Sequence, residues 1–514
     1  MAKVTALIRA RWVVPGYDCE PIRDGAVAIA GNTIADVGLY SILAEQYRGV
    51  EELGGDEFLL IPGLVNGHSH GRGLTDFQRG ALDNTLESWL FDTRKYIPIS
   101  TYDDVAFSAV RLLKSGVTTT MHNHILKNPD DYENEFEEAL RAYRDTGLRV
   151  QFNPAIRNSN PFVYGDNEKF LNSLPDKLKQ FLISVPSRGG VSGTNYVDAV
   201  SSLHARYDGP MSRIGFGPLA PQWCTKELLQ EIRKAADRLR TPIHIHAMQS
   251  IFQKIYGLKY LGKTLIEYMD EIGFLGPRLV IGHCVWPTAS DIELMAKTGT
   301  GVTHHPSCNL RVRNGIAPVF HMIETGVKVG LGLDGKSIND DDDMIQEMKV
   351  CFLLHRISSL ELDSPYLLPR RVFQMATENS AHLLGYGDVL GRLEPGCYAD
   401  LVLINYDEMC YPFVNSEHDP LEVLLYRGKG RHVDTVIVNG RVVVQEGKVT
   451  TVDEEALATR LREAASRPPT SQETTLIAMM DELKGHVIRY YEGWTEKVRV
   501  EPFYSPNSRI KGMP

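Results

Sequence analysis

His68 and His70 stand one residue apart at the end of a β-prone run, Ile61-Pro62-Gly63-Leu64-Val65-Asn66-Gly67. Side chains in a strand alternate faces, so both imidazoles point one way and Ser69 the other. Two imidazoles on one face at a strand end can share a divalent metal at about 2.0–2.1 Å per bond. Taken alone, the pair is weak evidence in a chain with 16 histidines. Three later apolar runs strengthen it, because each also ends in a polar residue. Pro242-Ile243-His244-Ile245-His246 is one, Leu279-Val280-Ile281-Gly282-His283 another, and residues 327–334 a third, ending in Asp334 and followed by Gly335.

These runs belong to a longer alternation that must position them. Strand-like segments end near Asn66, Met121, Asn153, Gly217, His246, His283, His304 and Leu333, with helical patterns between them, such as 102–115 stopped by Gly116, and 226–240. Eight strands each followed by a helical stretch predict a (β/α)₈ barrel, an α/β fold whose chemistry lies at the C-terminal ends of its strands. The four polar strand ends then fall on strands one, five, six and eight. Short strands with polar turns occupy both chain ends, with hairpin signals at Gly31-Asn32 and Asn439-Gly440. The expected organisation is a small β-sandwich domain from 1–60 and 386–450, a barrel over 61–385, and C-terminal helices and a tail over 451–514. In the last segment, Thr470-Ser471-Gln472-Glu473 reads as a capping box. Leu476, Met480, Leu483, Val487, Tyr490 and Trp494 then follow at helical spacing, which favours packing on their own domain over a subunit contact.

Composition narrows the function classes. Fifty-five basic against 65 acidic residues give a net charge of −10 with no strongly basic stretch, which argues against a nucleic-acid partner. The seven cysteines form no CxxC pair and read as buried thiols of a reducing compartment. No apolar run approaches a membrane span, and the first residues lack a signal-type apolar region. A cytoplasmic protein with a small-molecule substrate and no membrane partner is expected.

The chain resembles the amidohydrolase superfamily, in its deaminase and triazine-hydrolase-like branch, up to about Ala465. The resemblance rests on PGLVNGHSH (62–70), SGVTTT (115–120), FGPLAP (216–221), HIHAMQ (244–249), GHCVW (282–286), THHPSCN (303–309), NGIAP (314–318), GLDG (332–335) and LGRLEPGCYADLVL (390–403). It implies a metal held by His68, His70, His246 and Asp334, with His283 beside the metal and in contact with substrate, and a homodimer or higher homo-oligomer. Some members hold two metals bridged by a modified lysine on the fourth strand. Here that strand is Arg213-Ile214-Gly215-Phe216-Gly217 and has no lysine, so one divalent ion is expected. Zinc suits the donor set, and iron, manganese or cobalt also fit it.

The implied chemistry is hydrolysis of a non-peptide C–N bond by metal-activated water, with Asp334 and His283 as catalytic groups. One departure matters. Deaminases of this branch usually carry glutamate three residues after the third metal histidine, and this chain has Gln249. A carboxamide orients but cannot relay a proton near pH 7. Amides, ureas, or heteroaromatics losing halide or an alkylthiol therefore compete with an aminated ring, and a non-catalytic metal-binding scaffold is the remaining alternative. Trp89, His122, His124, Trp286, His304 and His305 are candidate substrate contacts, with core packing the plainer reading of each tryptophan. Arg311 and Arg313 read as solvated loop arginines or as contacts to an anionic group. Cys308 has no nameable base and is not a nucleophile. The acidic run 340–343 is read as charge at a helix start, not as a calcium loop. Specificity is expected from loops 71–95, 122–135 and 154–195.

Overall fold

In the computed structural model, residues 3–184, 193–356, 362, 365–499 and 503 are described. The chain opens with β1 (Ala6–Val13), β2 (Ile22–Ala30), β3 (Thr33–Leu39) and β4 (Glu51–Pro62). Next come β5 (Leu64–Asn66), β6 (Val117–His124), β7 (Arg149–Ile156), β8 (Ser212–Ile214) and β9 (Gly217–Pro218), then β10 (Ile243–Ala247), β11 (Leu279–His283), β12 (Gly301–His304) and β13 (Val329–Leu331). The last group is β14 (Leu401–Asn405), β15 (Val433–Val438), β16 (Arg441–Gln445) and β17 (Lys448–Val449).

The middle group makes the barrel. β5 to β8 pair in sequence, β9 pairs β7, and β10 to β13 pair in sequence, all parallel. A bridge from Phe216 to Ile243 joins the two runs, and the Gly67 amide closes the ring on the Leu331 carbonyl at 2.8 Å. Parallel strands covered on both faces read as continuous apolar runs, and every residue of β10 and β11 is buried. The surrounding helices have defined ends. Ser100 caps Thr101–Lys114, which stops before Gly116 at φ 86°, and Thr288 and Asp291 form a capping box on Ala289–Thr298, closed by left-handed Gly299.

Strands from both chain ends make one eight-stranded sheet in the order β17-β16-β15-β14-β4-β1-β2-β3, with only the β1–β4 pair parallel. The sheet folds over so that its two hairpin turns meet. The Ile34 amide donates to the Cys397 carbonyl at 2.8 Å, Ala399 to Asn32 at 2.9 Å, and Gly440 to Ala399 at 2.9 Å. Ile8, Val27, Leu60 and Leu401 lie inside the fold, which gives the sandwich expected from the two turns. Arg149, fully buried at the start of β7, reaches from the barrel to Asp400 at 2.6 Å, and Asp400 also accepts from the Asn439 amide at 2.8 Å.

The helix Ser471–Tyr491 begins with the Thr470/Glu473 capping box and lays Met480, Leu483, Val487 and Tyr491 against its own chain, on Phe91 and on Tyr164, Phe170 and Leu178. Segment 154–195, expected as a loop, instead carries the helices Asn167–Asn172 and Asp176–Ser184, while residues 185–192 lie outside the described part. Of the expected C-terminal tail, residues 500–502 and 504–514 also lie outside it. Among the described residues, no helix is long and apolar enough to cross a membrane.

The acidic run does more than charge a helix start. Asp343 caps Met344–Leu354 as expected, but Asp340 accepts from Arg311 and Thr75, and Asp342 lies buried beside Arg111.

Candidate metal centre

Four side chains from three strand ends, those of β5, β10 and β13, converge at the mouth of the barrel. His68 Nε2 and His70 Nε2 each lie 3.2 Å from Asp334 Oδ1, and His246 Nε2 lies 3.2 Å from His68 Nε2. A tetrahedral ion with bonds of about 2.0–2.1 Å separates its ligand atoms by roughly 3.3–3.4 Å, so the spacing fits one ion. The backbone sets this geometry. His68 and Asp334 are tied by an amide-to-carbonyl bond of 3.0 Å, and Asp334 takes the left-handed conformation, at φ 56°, before Gly335. A Cβ on Gly332 would stand 2.7 Å from the His68 amide nitrogen, so only glycine lets β13 run this close to the His68 backbone.

Second partners fix the tautomers. His70 Nδ1 donates to the Asn123 carbonyl at 2.9 Å and His246 Nδ1 to the Leu219 carbonyl at 2.8 Å, which leaves both Nε2 lone pairs facing the centre. Burial, ahead of the neighbouring imidazoles, pushes His246 down to about 3, and burial does the same to His68, so both rings are neutral, the form in which an imidazole can hold a metal. Burial opposes ionisation of Asp334, but its contacts with His68 and His70 outweigh it and hold the carboxyl well below its usual range.

His283 stands beside this set. Its Nε2 is buried without a hydrogen-bond partner, 3.6 Å from Asp334 Oδ2. Its Nδ1 lies 2.9 Å from Asn309 Oδ1 and 3.2 Å from His305 Nδ1, while His305 Nε2 lies 3.0 Å from Thr303 Oγ1. The amide oxygen can only accept, so His283 carries its proton on Nδ1 and presents a bare Nε2. Cys308 donates from Sγ to Asp334 Oδ2 at 2.9 Å, and burial with the adjacent carboxylate raises its thiol well above the usual range. It is a partner of Asp334, with no nucleophilic character.

A cavity of about 210 Å³ is lined by His70, Arg72, Arg157, Tyr164, Trp223 and Tyr491 among others. Of the candidate substrate contacts, His124 lines this cavity. His122 is turned into a buried chain, Tyr143–His122–His124–Glu135, with contacts of 3.1, 3.3 and 3.0 Å. Trp89 is buried between Lys336, 4.6 Å above its ring, and Arg72 at 5.6 Å. Trp286 donates to the Asn314 carbonyl at 2.7 Å. His305 stacks on His68 at 4.5 Å, whereas His304 turns outward to His355. Gln249 is buried two residues beyond β10, its amide bonded to Gln253 Oε1 at 2.9 Å. Arg311 pairs with Asp83 and Asp340.

Sequence reasoning missed Glu87, Arg157, Tyr164 and Tyr491. Glu87 lines the cavity, accepts from Ser250 Oγ, and is raised by burial. Arg157 follows directly on β7, past the strand end near Asn153 that the sequence predicts, and Glu87, Tyr164 and Tyr491 end no strand. Asn309 and Cys308 lie inside a motif whose chemistry-bearing signal is its histidines.

A family model described as "Amidohydrolase family" matches residues 59–443. The 5'-deoxyadenosine deaminase of Methanothermobacter thermautotrophicus is 31% identical over 455 residues, 87% of this chain and 96% of that protein. The 5-methylthioadenosine/S-adenosylhomocysteine deaminase of Pelotomaculum thermopropionicum is 30% identical over 451 residues, 87% of this chain and 94% of that one. Among solved structures, a zinc-bound adenosine deaminase from Xanthomonas campestris superposes with a TM-score of 0.77 at 23% identity, over 90% of this chain and 98% of its own. A zinc complex of atrazine chlorohydrolase from Arthrobacter aurescens superposes with a TM-score of 0.75 at 23% identity, over 92% and 100%. These two likenesses establish the fold.

Proposed function

The chain belongs to the amidohydrolase family and is a metal-dependent hydrolase of C–N bonds, and from that premise we propose that it removes an amino group from a small aminated nitrogen heterocycle, with one zinc ion at its active site and as a homodimer. The observation that carries this reading is the convergence of His68, His70, His246 and Asp334, with His70 lining a cavity sized for a small molecule. The related deaminases support an aminated ring as substrate.

His68, His70, His246 and Asp334 would hold the ion, which supplies Lewis acidity and an activated water near neutral pH. Asp334, kept ionised, accepts the proton of the attacking water. Its Oδ2 lies 3.6 Å from His283 Nε2, so a proton taken up there can pass to that nitrogen. Asn309 holds the opposite His283 nitrogen as a donor, so the imidazole receives at Nε2 and delivers from the same atom to the departing amine. This route leaves Gln249 the task of orienting the ring, the one its carboxamide can perform. Tyr164 and Tyr491 line the same cavity as His70, where they would exclude water from the bound ring.

Gln249 also favours a second reading, displacement of halide or an alkylthiol, because those leaving groups depart without protonation. The zinc-reconstituted protein would be assayed for ammonia, amine, chloride and thiol release from 5'-deoxyadenosine-type nucleosides, aminotriazines, pyrimidines and phenylureas. Ammonia release from an aminated ring is the expected result. Chloride or thiol release alone selects the second reading, and stoichiometric zinc with no hydrolysis overturns both. Metal analysis and sedimentation check the ion and the dimer.

A further inference from the structure

One buried cluster of ligand-type side chains takes no part in the chemistry above. His304 ends β12, and its side chain leaves the barrel on the side opposite His305 to meet the helix Met344–Leu354. Cys351 on that helix and His355 just beyond it are four residues apart and share one face. His304 Nε2 and His355 Nε2 lie 3.1 Å apart, and with Cys351 Sγ all three ligand atoms fall within 4.8 Å of one another. All three side chains are buried.

We propose that His304, Cys351 and His355 form a second, structural metal site that takes a zinc ion and ties the end of β12 to the helix that follows β13. The spacing carries the assignment. The two imidazole nitrogens stand 3.1 Å apart, against 3.2 Å for His68 and His246 in the catalytic set, and both values match neighbouring ligands of one tetrahedral ion. A hydrogen bond between two neutral rings would account for the nitrogens but leaves the thiol idle, and Cys351 Sγ makes no hydrogen bond to any described residue. A cation engages all three. Thiolate with imidazole selects zinc over magnesium, calcium or manganese. Burial supports neutral rings here, since it pushes His355 down to about 4. Binding exchanges the S–H bond of Cys351 for an S–Zn bond and releases that proton to solvent. A small ligand such as water completes the fourth position.

The placement gives the site a purpose. Glu347, one turn before Cys351, accepts from the Ser307 amide at 3.0 Å and from its hydroxyl. Ser307 opens the helix Pro306–Arg311, which carries Cys308 against Asp334 and Asn309 against His283. A metal at the far end of this helix pair fixes the scaffold on which those partners stand.

Full-length protein equilibrated with excess zinc and then desalted should hold two zinc ions per chain by mass spectrometry. Cys351→Ser and His355→Gln should each hold one, and His246→Ala should lose the other. Cobalt(II) in place of zinc should give a near-ultraviolet thiolate charge-transfer band that persists in His246→Ala and in Cys308→Ser and vanishes in Cys351→Ser. One zinc per wild-type chain, with no thiolate band, would overturn the proposal and leave an imidazole–imidazole hydrogen bond. The wild type and His246→Ala decide the question even where Cys351→Ser fails to fold.

Discussion

Removing the metal should make this protein acid-labile between pH 6.5 and about 5. His68 and His246 are each depressed from 6.5 to about 3, and His283 to about 4, burial being the first cause in every case. Such a ring stays neutral in the folded chain while the unfolded chain takes up a proton below pH 6.5. Folding stability is therefore intact above 6.5 and falls as the pH drops toward about 4, where His283 begins to protonate in place. At pH 5 each ring lies 1.5 units below its unfolded value, and at about 1.36 kcal/mol per unit this is about 2 kcal/mol per ring and about 6 kcal/mol for the three. Asp334 works the other way: its contribution is present above 3.8 and is lost only below that, outside the window. A loss of about 6 kcal/mol is a large part of the roughly 5–15 kcal/mol that folds a domain.

The assay is urea unfolding followed by tryptophan fluorescence at pH 7.5 and pH 5, on chelator-treated and zinc-loaded protein. Zinc on the neutral rings adds stability at both pH values without changing proton uptake by the unfolded chain, so the loaded protein should lose as much on acidification yet stay folded at pH 5 where the metal-free protein is most weakened. His283→Gln removes one of the three rings and should cut the pH-dependent loss by about 2 kcal/mol. Metal-free protein whose stability at pH 5 lies within about 1 kcal/mol of its value at pH 7.5 would refute the reasoning, because the rings would then not be held neutral by burial.

Three further outcomes are expected. Gln249→Glu should add a titrating group to the pH–rate profile and raise ammonia release, whereas an unchanged profile means that position 249 takes no part in the chemistry. Asn309→Ala frees the His283 tautomer and should cut kcat/KM by about 10–100-fold with zinc retained, the range for groups that orient a metal site's residues; an unaltered kcat/KM would remove Asn309 from the proton route. Arg149→Met strands the buried Asp400 carboxylate and should cost about 3–5 kcal/mol in chemical denaturation, and a loss under about 1 kcal/mol would show that this pair does not hold the sheet to the barrel.

The barrel was legible because its strands are buried on both faces, so apolar runs such as 279–282 announce themselves and the polar residue that breaks each run marks its end. The folded sheet was legible from two turns, whose Gly31, Asn439 and Gly440 take positive φ. Direction was not legible. His304 and His305 are adjacent in the chain, yet one faces His355 outside the barrel and the other His283 within it, and nothing in Thr303-His304-His305-Pro306 says where the strand stops. Partners distant in sequence were equally hidden. The spacing from Leu476 to Trp494 gave a helix, but that Tyr491 closes the cavity against Tyr164 depends on a fold-back across 327 residues.

Gln249 is where the site departs from the pattern that the family resemblance implies, and in the proposed mechanism the network around His283 takes over the proton transfer that a carboxyl there would carry. A relay needs a group that both receives and gives a proton at one atom facing the substrate. Asn309 fixes the proton of His283 on Nδ1, so Nε2 is the one nitrogen that can exchange it, and Asp334 Oδ2 is its nearest carboxylate oxygen. Cys308 hydrogen-bonds that same oxygen, which lowers its basicity, so a proton arriving there is held less tightly and moves on more readily. In the proposed route the acid is a buried imidazole, pushed down to about 4 in the metal-free chain, in place of a glutamate. A neutral ring with that value is a poor proton acceptor until negative charge grows beside it. The route therefore serves substrates whose leaving group takes its proton late, and those that need the ring nitrogen protonated before attack should turn over slowly.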